Sequence, residues 1–165
     1  MSEEARCQIV KKHYRYIARL LVDTLRMNTT SHEEAKKRIT ITNFELLQSC
    51  LDQNKSVMLW TGHLGDIDAL GVVGLFCSSY GVYKPLRNKY IDQWMRRNRA
   101  GFGTDLLSTK EFKLFLKKHQ GYDSQGQSCV FGLIADQRPG RRNSLPALFF
   151  DQKMDFFHGP ELLAK

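Results

Sequence analysis

Residues 56–70, SVMLWTGHLGDIDAL, constrain the fold more than any other stretch, because an apolar run meets a glycine turn and gives way to helical spacing. Val57, Met58, Leu59 and Trp60 read as a continuous buried strand, the pattern of a sheet covered on both faces. Ile67, Leu70, Val73 and Gly74 then recur at helical intervals. Gly62 and Gly65 permit backbone angles that a side chain forbids, so the chain turns sharply and leaves His63 at the mouth of the sheet. Asp68 falls about one turn inside the predicted helix. From there its carboxylate would swing back to His63, fix the ring tautomer and stabilise the imidazolium formed when the ring takes a proton. Asp66, after a glycine and before an apolar run, is placed to cap the helix, and Asp68 also suits the helix dipole.

The rest of the chain reads as one domain without repeats or low-complexity linkers. Over residues 3–27, Ile9, Val10, Tyr14, Ile17, Leu20, Leu21 and Leu25 lie at helical spacing with Lys and Arg between them, which predicts a basic amphipathic helix that packs on the core or lies at a membrane surface. Ser31 with Glu34 predicts a capping box for a short helix. An alternating strand over residues 39–42 and a helix over 44–52 precede the glycine turn. After it come a short strand over 81–84, a basic helix over 90–99 and a helix over 109–118. A polar loop over 121–128, a strand over 129–135 and a hairpin of 145–150 with 154–157 complete the set. Strands alternating with helices argue for a three-layer α/β domain with a mixed, mostly parallel sheet.

With its apolar lead-in and Gly65 two positions after the histidine, the segment His63-Leu64-Gly65-Asp66-Ile67-Asp68 resembles the His-x-x-x-x-Asp/Glu block of the glycerolipid acyltransferase superfamily. It is most similar to the late, lauroyl- and myristoyl-type, acyltransferases of bacterial lipid A biosynthesis. Three further blocks follow in that family's order. Val82-Tyr83-Lys84-Pro85-Leu86-Arg87-Asn88 resembles a Tyr-Arg-Pro-x-x-Asn segment followed by a basic helix. Gly132-Leu133-Ile134-Ala135-Asp136-Gln137, with Pro139-Gly140, resembles an Asp-Gln-x-Pro-Gly block. Phe149-Phe150, then Gly159 ahead of Leu162-Leu163-Ala164, resembles a Phe-Phe-Gly strand and the start of a helix. Asp68 is one methylene shorter than the family's usual Glu, and Lys84 stands where Arg is common, keeping the charge but losing the planar fork.

The resemblance implies transfer of a fatty acyl group from an acyl thioester, on acyl carrier protein or coenzyme A, to a hydroxyl of a lipid A precursor. In that scheme His63 is the general base and Asp68 orients it. Direct attack without an acyl-enzyme accords with the lack of an activated Ser or Cys beside His63. Lys84, Asn88, Asp136 and Gln137 would bind substrate, and Lys84 would meet an oxyanion or an acceptor phosphate. Leu64, Ile67, Phe149 and Phe150 are candidates for an acyl slot. No cofactor and no metal are expected, the thioester being a co-substrate. The implied partners are the acyl donor, the lipid acceptor and an anionic membrane surface at the cytoplasmic face of the inner membrane. Family members are longer at both ends, so the 165 residues read as a single truncated domain, with a helical region over 1–55 and the motif region over 56–165.

Charge agrees with a chain that meets anions. Lys and Arg number 25 against 17 Asp and Glu, a net charge of +8, compatible with phosphorylated substrates and anionic membranes. The basic run from Arg138 to Arg142 follows the Asp136-Gln137 block directly and is the best placed to meet phosphate or a carrier protein. No helix-turn-helix, zinc-finger or aromatic-platform pattern points to nucleic acid. The four cysteines, Cys7, Cys50, Cys77 and Cys129, are far apart and sit mostly in apolar company, which suits reduced, buried thiols rather than a disulfide framework or a zinc site. His13, His32, His119 and His158 share no metal-ligand spacing. Residues 1–16 hold no apolar run near the roughly 18 residues that a spanning helix needs. Two other functions fit the same residues: acyl transfer to another membrane lipid, and a noncatalytic membrane-surface protein that uses its basic face alone.

Overall fold

Four short runs rich in β-branched, aromatic and leucine side chains form the central sheet: β1 (Val57–Thr61), β2 (Ser79–Tyr83), β3 (Thr104–Ser108) and β4 (Val130–Ile134). In the computed structural model, which describes residues 1–136 and 144–164 apart from the side chains of Pro160, Leu162 and Ala164, all four pair in parallel in the order β1-β4-β2-β3. Parallel neighbours need long crossovers, and helices supply them. One cross-strand row runs Leu59, Gly132, Gly81, Leu106, so the two central strands carry no side chain there.

Helix α5 (Thr109–His119) covers one face of the sheet. Its start is fixed by a reciprocal capping box between Ser108 and Glu111. Phe112, 1% exposed, packs with Tyr80, Phe131 and Leu133, and the Phe112 and Phe131 ring centroids lie 5.3 Å apart. On the other face lies a 3₁₀ helix, Asp68–Leu75, backed by α1 (Glu3–Met27), α2 (His32–Arg38) and α4 (Lys89–Ala100). Val72 joins Ala35 and Phe102 in a second small core that Met27 and Ile39 extend. Helix α3 (Phe44–Asp52) and α6 (Gly159–Ala164) meet the outer strand β1. The three-layer α/β arrangement is the one expected from the sequence.

The sheet is purely parallel, and the antiparallel part is separate: β5 (Ser144–Phe149) and β6 (Gln152–Phe157) form a mostly exposed hairpin of their own. Three other expectations are corrected. Residues 39–42 form no strand, because Ile39 ends α2 and turns into the Val72 cluster. β1 is an edge strand rather than a fully buried one, and Trp60 is 54% exposed. β3 adds a strand that no sequence signal marked.

The segment after the glycine turn is helical, as expected, but with a period of three rather than 3.6. Asp68, Gly71 and Gly74 therefore fall on one line. A Cβ at Gly71 would sit 3.0 Å from the Arg99 carbonyl oxygen, and one at Gly74 would overlap the backbone of Gly103 and Thr104. The two glycines let this helix lie directly on the chain leaving α4. That same line points Asp68 at α4.

Candidate active site

Strands β1 and β4 are neighbours, and their C-terminal ends lie side by side. Thr61 pairs with Ile134 in register, and the Ala135 N–H donates to the Thr61 carbonyl at 3.1 Å. Two residues beyond each strand end stand His63 and Asp136. The Asp136 carboxylate takes two hydrogen bonds from His63: one from Nδ1 to Oδ1 at 2.6 Å and one from the backbone N–H to Oδ2 at 2.5 Å. Gly62 makes this approach possible, since a Cβ there would lie 3.0 Å from Asp136 Oδ2. Gly65, with φ +85°, closes the turn, and its N–H donates to the Tyr16 hydroxyl of α1 at 2.9 Å.

The two hydrogen bonds from His63, the ring contact foremost, hold the Asp136 carboxyl below the usual carboxylate range. An ionised carboxylate accepts only, so Nδ1 carries the ring hydrogen and Nε2 is the nitrogen able to take a proton. Asp66 moves the other way, its carboxyl pushed up by burial; its Oδ1 accepts from the Asp68 N–H at 3.0 Å, but the N-cap position expected of it falls to Ile67, so Asp66 ties the turn just ahead of the helix.

Asp68 is placed differently from the expectation. Its carboxylate accepts from Arg99 Nε at 2.6 Å and from the Thr24 hydroxyl of α1 at 3.0 Å, and among the described residues no contact joins it to His63. The cause is the 3₁₀ period, which turns position 68 towards α4. Asp68 and Arg99 are mostly buried, with side-chain exposures of 11% and 23%. The group against His63 is Asp136, which sequence reasoning had assigned to substrate.

Two adjoining hollows lie beside His63, which borders the larger. A vestibule of about 470 Å³ is bordered by His63, Lys84, Arg87, Arg96 and Arg99. A narrower slot of about 80 Å³ runs beneath the 3₁₀ helix, floored by Gly81 and Gly132 and walled by Leu59, Val73, Leu106 and Val130. Arg99, Ile67 and Ile134 border both. The loop carrying Lys84 is held by Asp92, which accepts from the Leu86 N–H at 2.8 Å and from the Tyr83 hydroxyl at 3.1 Å. Arg96 reaches the Leu106 carbonyl at 3.0 Å and lies over the Tyr83 ring.

The expected residues are thus only partly gathered. His63 and Lys84 border the vestibule, and Asp136 is joined to it through its hydrogen bonds with His63. Asn88 serves as the N-cap of α4, its Oδ1 accepting from the Tyr90 and Ile91 N–H groups at 3.0 and 3.3 Å. Gln137 and the basic run at 138–142 lie outside the described residues. Of the acyl-slot candidates, Ile67 borders the slot. Leu64 is 95% exposed, and Phe149 and Phe150 lie on the exposed hairpin. Arg99 was missed: the sequence offers it only as one basic residue among several on α4. The His63–Asp136 pairing had a latent signal, since both residues follow apolar strands by the same short step.

Among the described residues no helix is long and apolar enough to cross a membrane. No curated protein matches the chain closely enough to count as a relative. The sequence pattern of one family, described as bacterial lipid A biosynthesis acyltransferase, matches residues 1–165. With the whole length covered, and with the histidine turn, the Lys84 segment and the Asp136 strand end drawn to one side of a parallel sheet, the chain belongs to the bacterial lipid A biosynthesis acyltransferase family.

Proposed function

We propose that this chain transfers a fatty acyl group from an acyl thioester, on acyl carrier protein or coenzyme A, to a hydroxyl of a lipid A precursor at the cytoplasmic face of the inner membrane. The observation that carries this reading is the hydrogen bond to Asp136 from His63, which borders a basic vestibule adjoining an apolar slot. His63 Nε2 takes the acceptor hydroxyl proton while the oxygen attacks the thioester carbonyl. The tetrahedral oxyanion collapses, the C–S bond breaks, and the proton on His63 passes to the departing thiolate, leaving an ester and a thiol. Asp136 keeps the ring in the right tautomer and offsets the imidazolium charge.

Asp68, expected to orient His63, contributes in this scheme through Arg99. The Asp68–Arg99 ion pair holds a guanidinium at the border of the two hollows, where thioester oxyanion charge would develop. Lys84 and Arg87 supply positive charge to the vestibule for an acceptor phosphate. Asn88 acts by fixing the start of α4 beside them. The glycine-floored slot takes the first methylenes of the acyl chain, since its walls are apolar and it adjoins the vestibule that His63 borders. The thioester supplies the activated acyl group, so the scheme draws on no cofactor.

The test is a panel of labelled acyl-acyl carrier protein and acyl-coenzyme A donors, each with a lipid A precursor, a lysophospholipid or an aminolipid as acceptor. Transfer to the lipid A precursor supports the reading. Transfer confined to another acceptor replaces the substrate, and absence of transfer with every pair overturns the enzyme.

A further inference from the structure

Helix α5 turns Phe112, Phe115 and Leu116 onto the sheet. Lys110, Lys113, Leu114, Lys117 and Lys118 are left on the outward side, within an arc of about 140° at 3.6 residues per turn. All five are exposed, Leu114 by 59%. Among the described residues none of the four lysines makes an ion pair. The helix has one acidic residue, Glu111, and its carboxylate is taken up by the Ser108 N–H in the cap. A basic face without counter-charges of its own favours an acidic partner.

This face begins at the catalytic edge of the sheet. Trp60, Leu133, Val82 and Leu107 form one row straight across the four parallel strands. The row spans three strand spacings, about 14 Å. His63 and Lys110 each stand three residues beyond its two ends. A hollow of about 490 Å³ lies beside the edge strand β3, between Arg97 of α4 and Phe115 of α5, and shares Arg96 and Leu106 with the vestibule. The acyl slot and the 3₁₀ helix lie on the other face of the sheet, so α5 looks away from them. A bilayer needs apolar depth, and this face offers Leu114 alone. A second copy would set lysine against lysine. An acidic protein supplies carboxylates for the lysines, and a phosphate-bearing arm on it would find Arg96 and Arg97 in the hollow.

We propose that the lysine face of α5 docks an acidic acyl carrier protein and that the hollow beside β3 leads its phosphopantetheine arm past Arg96 into the vestibule. The inference rests on the acyl-transfer reading above and commits its donor to a protein-borne thioester. Donor and acyl slot then lie on opposite faces of the sheet and meet at the edge that carries His63.

The experiment titrates fluorescently labelled acyl carrier protein, in its holo form and in the apo form that lacks the arm, with the full chain and follows anisotropy. Wild type is expected to bind both, the holo form several-fold more tightly, and to bind less in raised salt. Lys110→Glu with Lys113→Glu, exposed and near the helix start where acidic residues suit the dipole, is expected to weaken both roughly tenfold or more without lowering thermal stability. The same charge change on the other side of the sheet, Lys12→Glu with Lys37→Glu, is expected to leave binding within about twofold. Arg97→Ala is expected to remove the advantage of the holo form. Absence of binding by wild type, or equal loss in the two double variants, overturns the docking face. So does unchanged carrier binding by Lys110→Glu with Lys113→Glu, and loss of binding to phosphatidylglycerol vesicles in that variant would then assign the face to a membrane. A holo advantage that survives Arg97→Ala overturns the route through the hollow. Binding is read without turnover, so its outcome is separate from that of the acyl-transfer assay.

Discussion

Asp136 grips His63 from two directions, with Oδ1 2.6 Å from ring Nδ1 and Oδ2 2.5 Å from the backbone nitrogen. The ring and the turn that carries it are thus oriented by one carboxylate from the neighbouring strand.

Asp136→Asn keeps the shape and removes the charge that offsets the imidazolium. Turnover is expected to fall by roughly 10²- to 10⁴-fold with little change in KM. The same carboxyl is held below the ordinary carboxylate value by its His63 hydrogen bonds. A lowered folded-state value contributes stability that is fully present above the unfolded value and is lost as pH falls through the folded one. The stability difference between wild type and Asp136→Asn is therefore expected to be constant near neutral pH and to shrink in acid, as read by denaturant unfolding across pH.

Asp68 and Arg99 are expected to behave as a unit. Asp68→Ala leaves a largely buried guanidinium without its counter-charge, at a cost of roughly 2 kcal/mol, between the values for exposed and buried pairs. A double-mutant cycle with Arg99→Ala should give a coupling of about 1 kcal/mol or more, whereas Asp68→Ala with His63→Ala should be additive. Strong coupling of Asp68 to His63 would restore the arrangement expected from the motif alone.

The slot can be narrowed from its floor. A Cβ at Gly132 meets only the Tyr80 carbonyl oxygen, at 3.9 Å, so Gly132→Ala is expected to fold normally. Its preference is expected to move to shorter acyl donors, the longest losing roughly tenfold or more in kcat/KM, in line with the energy of one methylene. Unchanged chain selectivity would remove the slot from the acyl path.

Much of the fold is legible in the residues themselves. The spacing of apolar side chains marks α1 at both ends, and the apolar run and its flanks locate β4 and the β5–β6 hairpin. β3 escapes because Thr104-Asp105-Leu106-Leu107-Ser108 is short, polar at both ends and without alternation; it becomes a strand by pairing with β2. The direction of Asp68 escapes for another reason. A three-residue period is written in the spacing of Gly71 and Gly74, but its meaning depends on the α4 backbone they approach. The His63–Asp136 pair depends on strand order, which local pattern does not carry.

Thiol reactivity separates the cysteines. Cys129 is fully buried, and burial pushes its thiol up to about 11, whereas Cys7 is exposed on α1. The expectation of buried thiols thus fails at Cys7. In the native protein at neutral pH, iodoacetamide is expected to label Cys7 within minutes and to leave Cys129 unmodified until the protein unfolds, as mapped by mass spectrometry.

The most direct test of the central claim is transfer of labelled acyl groups from acyl carrier protein to a lipid A precursor in detergent, comparing wild type with His63→Ala at equal folded concentration. Turnover by wild type that falls at least a hundredfold in the variant is the expected result. Transfer that persists undiminished in His63→Ala would contradict it.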